Sequence, residues 1–535
     1  MKRLSLVLFN LALVVVATVF SMNNFGLSHS LNFEGRVVRV LPREISAERN
    51  DVCLELRSSK DDAVYYVDDF FIIFIIEQTY KVLLSDYIKQ DVEAVNINLK
   101  LEKITVRDRL INNKKVKYIV NVGKIFPRFP HSKQAYDYHE INPGVPEQDF
   151  YHRYIEVPLS YKDPARGTFK LYYELCSDFD VNKPTILIPT DGQRSLSQVG
   201  WADKYKKMFD LDYNTVTYEY RGMFCSKIKE LGSKNIDWAL AYEFLNSDNV
   251  VEDIESIRKD LLGEKQINIL GGSGTAMIGL KYISKYPEKV RRAFLMSFFK
   301  DAQGSSEAGV MFFNNFLEKN NLREQYDRVL QNPRIEKTQL LFLIQRLLYF
   351  DQEEVKQLII ELDNNNLSRY HKYTRELGHV NFFVRSVQKY KPWTVVFMYE
   401  TNLRTSQADL PDINYPFLRM AEPLIEIYGN SPARNAHLFD IQNLKNINTE
   451  ILLVGGLLDQ VAPITELERI HRELPNSKLA IFEAYHCLEA PPEARKTRNK
   501  LANLFFIYGH NSKEFLDYLT SSSSFRSLAS TNTPF

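Results

Sequence analysis

From about residue 150 the sequence repeats one alternation: a short apolar run, a stretch with amphipathic spacing, then another apolar run. The runs are TILIP (185–189), TVTYEY (215–220), INIL (267–270), RAFLM (292–296), EILLVGG (450–456) and KLAIFE (478–483). Several are apolar enough to need cover on both faces, as strands of a parallel sheet do. Between two of them Val250, Val251, Ile254, Ile257 and Leu261 recur at helical spacing, and Gly263 stops the helix. Strands that alternate with helices imply an α/β architecture: a mostly parallel sheet with helices on both faces. The rhythm breaks once. Residues 301–445 are mainly helical in pattern, clearest in TQLLFLIQRLLYF and EEVKQLIIEL. They are expected to be a helical insertion between core segments 149–300 and 446–512.

Residues 30–128 differ in kind. GRVVRVL, AVYYVDDFFIIFII, AVNINLKLEKITV and KVKYIVNVG are β-branched and aromatic, several with good alternation, and predict a β-rich accessory domain. FFIIFII (70–76) is far too short to span a bilayer and reads as a buried strand. Pro127, Pro130, Pro143 and Pro146 mark a linker. At the start, Lys2 and Arg3 precede the apolar run from Leu4 to Phe20 and then polar SMNN. This is the layout of a secretory signal over residues 1–28, with an uncleaved anchor as the alternative. The expectation is export, periplasmic or secreted, with membrane contact only through that segment. The low-complexity end, 519–535, is expected to be a flexible tail.

Composition narrows the function classes. The 535 residues suffice for two or three domains, and 44% hydrophobic with 25% charged residues is a globular balance. A net charge of +1 without a long basic block argues against nucleic acid as partner. Cys53, Cys176, Cys225 and Cys487 are widely scattered with no CxxC, which excludes a thiol-rich zinc site and allows one or two disulfides after export. No HExxH or close histidine set implies a metal, GGSG lacks the Lys-Ser/Thr of a phosphate loop, and no cofactor is called for.

The chemistry centres on INILGGSGTAMIGLKYISKYPEKV (267–290). Ser273 follows a buried run and precedes a helix, the setting of a nucleophile elbow, in which a strained turn lifts a serine hydroxyl above the sheet edge. Gly271 and Gly274 leave room for that backbone, and the helix N-terminus aims free N–H groups where an oxyanion would form. Thr275 stands where the G-x-S-x-G pattern has its last glycine. Further on, EILLVGGLLDQVAP carries Asp459 just after a strand, and AYHC carries His486 just after the next. Strand ends on one edge gather side chains into one crevice, so Ser273, Asp459 and His486 are candidates for nucleophile, acid and base. ILIPTDGQRS ends an earlier strand. There the backbone N–H of Gln193, beside Gly192, is the candidate second oxyanion donor with that of Gly274, the alternative being an ordinary Asp-Gly turn. Arg221 and Gly222 in YEYRGMFCS are expected to shape a loop beneath the site.

The order Ser, Asp, His is that of α/β-hydrolases. Five passages resemble the prolyl and tripeptidyl aminopeptidase branch of that superfamily: VPLSYKDPARGTFKLYYEL, EYRGMFCS, VVEDIESIRKDLLGEKQINILGGSGT, KYISKYPEKVRRAFL and LLVGGLLDQVAP…AYHC. The resemblance covers roughly 150–300 and 446–490. It implies an α/β-hydrolase fold with the helical insertion as a lid, and the triad Ser273, Asp459 and His486. The sequence departs from the branch at PTDGQRS, which lacks most of the family's glycines, at Gly274, where an aromatic is usual, and at Thr275. An aminopeptidase also needs a buried carboxylate for the substrate ammonium. Glu400 in VVFMYETNL is the candidate among many insertion acids. The expected function is an exported serine hydrolase, an aminopeptidase-like exopeptidase working through an acyl-enzyme, on a peptide or small ester substrate. The alternatives are an esterase or lipase with the same triad and an inactive hydrolase fold used for binding.

Overall fold

A computed structural model describes residues 31–42, 52–67, 98–111, 114–126, 150–190, 192, 201–210, 212–223, 225–231, 235–348, 351–401, 415–429, 436–489 and 491–522. The chain divides into two units, Met1–Pro130 and His131–Phe535. The FFIIFII run, the linker prolines, the N-terminal signal and Gln193 lie outside the described residues. Among the described residues no helix is long and apolar enough to cross a membrane.

The first unit contains a closed barrel of five strands in the order β1-β2-β3-β5-β4, formed by β1 (Leu31–Pro42), β2 (Val52–Ser58), β3 (Val64–Val67), β4 (Asn98–Ile111) and β5 (Lys114–Phe126). Alternation explains the inward face of β2, where Leu54 and Leu56 are fully buried while Arg57 is exposed. All pairings are antiparallel except β3 with β5, and β1 with β4 closes the ring.

The second unit is built on an eight-stranded sheet in the order β13-β12-β11-β10-β8-β9-β7-β6. The strands are β6 (His152–Pro158), β7 (Thr168–Leu175), β8 (Thr185–Ile188), β9 (Asn214–Tyr218), β10 (Ile267–Gly272), β11 (Val290–Met296), β12 (Glu450–Gly456) and β13 (Ser477–Phe482). The pairings from β9 through β13 are parallel; β6 and β7 form an antiparallel hairpin attached to β9. Every residue of β8, β9 and β10 is buried, the signature of a strand covered on both faces. β8 pairs with β9 on one side and β10 on the other. The chain leaves β8 toward β9 and leaves β10 toward β11, in opposite directions along the sheet, the arrangement at which open α/β sheets form a crevice at the carboxyl ends of their strands.

The helices of the first core segment are α1 (Trp201–Met208), α2 (Trp238–Leu245), α3 (Ser247–Leu262) and α4 (Gly274–Lys285). α3 buries Val250, Val251, Ile254 and Ile257 and ends at Gly263, whose φ of 59° suits glycine. The insertion holds α5 (Ala302–Lys319), α6 (Arg323–Gln331), α7 (Lys337–Leu348), α8 (Gln352–Asp363), α9 (Ser368–Leu377), α10 (Val380–Tyr390), α11 (Pro392–Thr401) and α12 (Tyr415–Tyr428). All ten residues of α11 are buried, so this helix is enclosed by its neighbours on every side. The second core segment adds α13 (Ile464–Glu473), α14 (Pro492–Tyr508) and α15 (Lys513–Ser521). α15 carries the core past the expected boundary at 512, because Phe515 and Leu519 are buried against the sheet-covering cluster of Phe505 and Phe506.

Arg221 is fully buried beneath the crevice. Its guanidinium makes two bonds to Asp253 at 2.7 and 2.8 Å and donates to the carbonyls of Leu159, Phe244 and Pro158. That joins the hairpin, α2 and α3 through one charge. Cys176, Cys225 and Cys487 are buried, and no disulfide links any two of these three thiols. Each instead fills an interior position as a small apolar group.

Candidate active site

β10 ends in Gly271 and Gly272, and the chain turns into α4 through Ser273 at φ 56°, ψ −132°. A left-handed non-glycine residue costs about 1–3 kcal/mol and persists only where its surroundings over-determine it. Four bonds do so here. Ser273 N–H donates to Met296 C=O at 2.8 Å, and Ser273 C=O accepts from Ala276 N–H at 2.9 Å. Thr275 Oγ1 accepts Gly272 N–H at 2.7 Å and donates to Gly272 C=O at 2.8 Å. The threonine that departs from the motif therefore laces the turn shut. A β-carbon at Gly271 would sit 2.8 Å from Ala276 Cα, so only glycine lets the helix start this close to the strand.

The first N–H groups of α4, that of Gly274 among them, have no acceptor within the helix and carry its positive end next to Ser273 in the chain. Across the crevice, the chain after β8 reaches Gly192. A β-carbon there would fall 2.1 Å from Phe397 Cβ and 2.9 Å from Trp393 C=O. The glycine admits α11, so the insertion seats directly on this loop.

Asp459 follows β12 and is 1% exposed; its Oδ1 accepts Val461 N–H at 3.0 Å and Ala462 N–H at 2.9 Å. The loop bearing it is zipped to the one bearing His486, since Leu457 N–H donates to Phe482 C=O and Leu458 N–H to Ala484 C=O. His486 Nδ1 lies 3.0 Å from each Asp459 carboxylate oxygen, with an imidazole 11% exposed. Burial disfavours the charged ring, but the Asp459 carboxylate, with the Cys487 thiol beside it, prevails and holds the pKa well above its usual 6.5. With Nδ1 turned to a carboxylate, the neutral ring carries its proton there and leaves Nε2 as acceptor.

The His486 loop meets the serine turn through the residue after the histidine. A β-carbon at Gly272 would lie 3.1 Å from Cys487 Sγ, and Cys487 N–H donates to Ser297 Oγ at 3.0 Å, one residue past the Met296 carbonyl that holds Ser273. Thus the structure joins Asp459 and His486 directly and sets their loop against the turn of Ser273. Glu400 is engaged by the start of α3. That carboxylate, on α11, accepts Ser247 N–H at 3.0 and 3.2 Å and the Tyr242 hydroxyl at 3.4 Å, at the start of α3. Ser247 Oγ in turn meets Lys281 Nζ at 2.6 Å. Lys281 stands eight residues from Ser273, about 12 Å along α4. Burial, reinforced by Asp248 and opposed by Lys281, raises the Glu400 pKa from 4.5 to about 7.

Sequence reasoning did not identify Ser297 as a contact of the His486 loop, nor Thr275 as a brace. A hydroxyl residue two places after Ser273 was the signal for the second.

Residues 197–488 match the family model described as alpha/beta hydrolase fold. No curated protein matches the sequence. Among solved structures the chain is similar to an alpha/beta hydrolase enzyme from a Medee basin deep-sea metagenome library. That pair is 17% identical over 63% of this chain and 94% of the other, with a TM-score of 0.36. A serine hydrolase from Cycloclasticus zankles is 14% identical over 68% of this chain and all 100% of its own, with a TM-score of 0.35. An alpha/beta fold family hydrolase from Bacillus anthracis str. Sterne is 14% identical over 65% and 99%, with a TM-score of 0.34.

Proposed function

The chain belongs to the alpha/beta hydrolase fold family, and from that premise we propose that it is a serine hydrolase acting on a carboxylic ester. Ser273 Oγ attacks the substrate carbonyl carbon while His486 Nε2 takes its proton, and Asp459 stabilises the imidazolium through Nδ1. The tetrahedral oxyanion is held by Gly274 N–H, with Gln193 N–H as the proposed second donor. Collapse expels the alkoxide, which leaves with the proton from His486, and an acyl-Ser273 ester remains. Water, deprotonated by His486, then attacks that ester and releases the acid and the free serine. The observation that carries this reading is the His486–Asp459 bond at 3.0 Å in a loop packed on the left-handed Ser273 turn.

Esters are favoured over peptides because Glu400, the carboxylate considered for an ammonium, is occupied by the α3 backbone. The five passages resembling prolyl and tripeptidyl aminopeptidases favour the narrower second reading, an exopeptidase with the insertion as its lid. Purified protein assayed on p-nitrophenyl esters and on aminoacyl p-nitroanilides separates the two. Ester turnover abolished by Ser273→Ala supports the first reading, and preference for the anilides replaces it with the second. A folded protein inert to both points to the binding-protein alternative. Export belongs to the same proposal; it rests on the basic, apolar, polar order of residues 2–24 and is tested by cell fractionation.

A further inference from the structure

His486 is followed by two consecutive non-glycine residues in the left-handed region, Cys487 at φ 52° and Leu488 at φ 56°. Such a pair needs support from outside the turn, and both polar groups of the Cys487 backbone receive it. On one side Cys487 N–H donates to Ser297 Oγ at 3.0 Å. Ser297 is fully buried, itself left-handed at φ 48°, and tied to β12 by its N–H to Val454 C=O at 3.0 Å. On the other side Arg498 of α14 donates from Nη1 to Cys487 C=O at 3.0 Å and to Glu489 Oε1 at 2.5 Å. Its Nε meets Asn499 Oδ1 at 3.0 Å, and its guanidinium lies 5.1 Å from the Phe209 ring centre. Arg498 is 2% exposed, while the Glu489 side chain is 49% exposed. A buried guanidinium is expensive without full compensation, and here Nη1 is committed to the loop that follows His486, through the Cys487 carbonyl and the Glu489 carboxylate.

We propose that Ser297 and Arg498 are positioning residues for His486, gripping the N–H and C=O of Cys487 from opposite sides. The inference rests on the reading of His486 as the general base. If either grip is released, the strained turn relaxes, the backbone of His486 shifts with it, and the Nδ1 bond to Asp459 loosens. A displacement of about 1 Å in such a group costs up to a hundredfold in rate. The charged and titratable groups around the ring are Asp459 from the β12 loop, the Cys487 thiol within the turn, and Arg498 and Glu489 behind the Cys487 carbonyl. Ser297 is uncharged, so replacing it leaves their field unchanged.

Ser297→Gly separates positioning from stability, because glycine relieves the left-handed strain while removing the acceptor. The test titrates the His486 imidazole by NMR in the full chain and measures kcat, KM and Tm for wild type, Ser297→Gly and Arg498→Lys. The expected result for Ser297→Gly is a Tm within about 3 °C of wild type and a His486 pKa lower by about half a unit or more. Its kcat falls about tenfold or more with KM within about twofold. Arg498→Lys keeps the charge but loses the fork, and is expected to shift kcat the same way; it decides the question if Ser297→Gly does not fold. An unchanged His486 pKa and kcat in a folded variant overturn the proposal. If wild type hydrolyses nothing and Ser273 does not label, the base reading fails, yet the NMR titration still shows whether the two grips hold the imidazole on Asp459.

Discussion

Replacing Glu400 with glutamine should stabilise the protein above neutral pH and leave hydrolysis intact. The Glu400 carboxylate is 4% exposed, bonded to Ser247 N–H, with a pKa displaced upward by burial from 4.5 to about 7. A carboxyl group that holds its proton more tightly in the folded state contributes stability in full below pH 4.5, and that stability is lost as pH rises to about 7. The displacement is worth about 3 kcal/mol. Glutamine keeps an oxygen for Ser247 N–H and has no proton to lose, so it carries none of this dependence. Urea denaturation of both proteins at pH 5 and pH 8 reads it directly. The stability difference between variant and wild type should move by about 3 kcal/mol in favour of glutamine from the lower pH to the higher. Parallel pH curves would refute the reasoning, as would loss of the variant at both values. The same variant tests specificity: a selective loss of aminoacyl anilide turnover would return Glu400 to an ammonium-binding role.

Asp459→Asn should lower kcat about 10⁴-fold. Because Asp459 holds the His486 pKa up and the base must be neutral, the residual activity should extend to lower pH, as a pH–rate profile of kcat/KM will show. Gly271→Ala meets backbone of Ala276 and Thr275 and should cost about 1–3 kcal/mol, with loss of activity. Gly272→Ala meets only the ends of Cys487 and Met296 at 3.1 and 3.3 Å and should cost less, a ranking that urea melts of the pair can reverse. Arg221→Leu strands a buried Asp253 and should destabilise by about 3–5 kcal/mol, while Arg221→Leu with Asp253→Leu should recover most of that loss in thermal melts.

The parallel strands were legible because several are apolar runs that need cover on both faces and alternate with stretches of helical spacing, whereas their order in the sheet was not read. Ser273, Asp459 and His486 were legible from their positions just after strands. The hairpin of β6 and β7 was not read as strands, since HRYIEVP shows no clean alternation and its residues are mostly half-buried. Barrel closure depends on β1 meeting β4 and β3 meeting β5, long-range pairings that no local pattern encodes. Glu400 was legible as a candidate buried acid, and its bond to a backbone N–H 153 residues away was not, because no local pattern encodes that pairing. The same limit hid Ser297, 190 residues from the peptide it grips. Gly192 was legible as a residue beside the candidate oxyanion donor, and the close approach of α11 of the insertion to it was not. A glycine announces close approach, and only the fold says by what.

The central claim is that Ser273 is an activated nucleophile. Labelling purified wild type and Ser273→Ala with a fluorophosphonate, followed by intact mass, tests it most directly. The account predicts one adduct per chain in wild type and none in the variant. A folded wild-type protein that stays unmodified, or a variant that labels equally well, would contradict it.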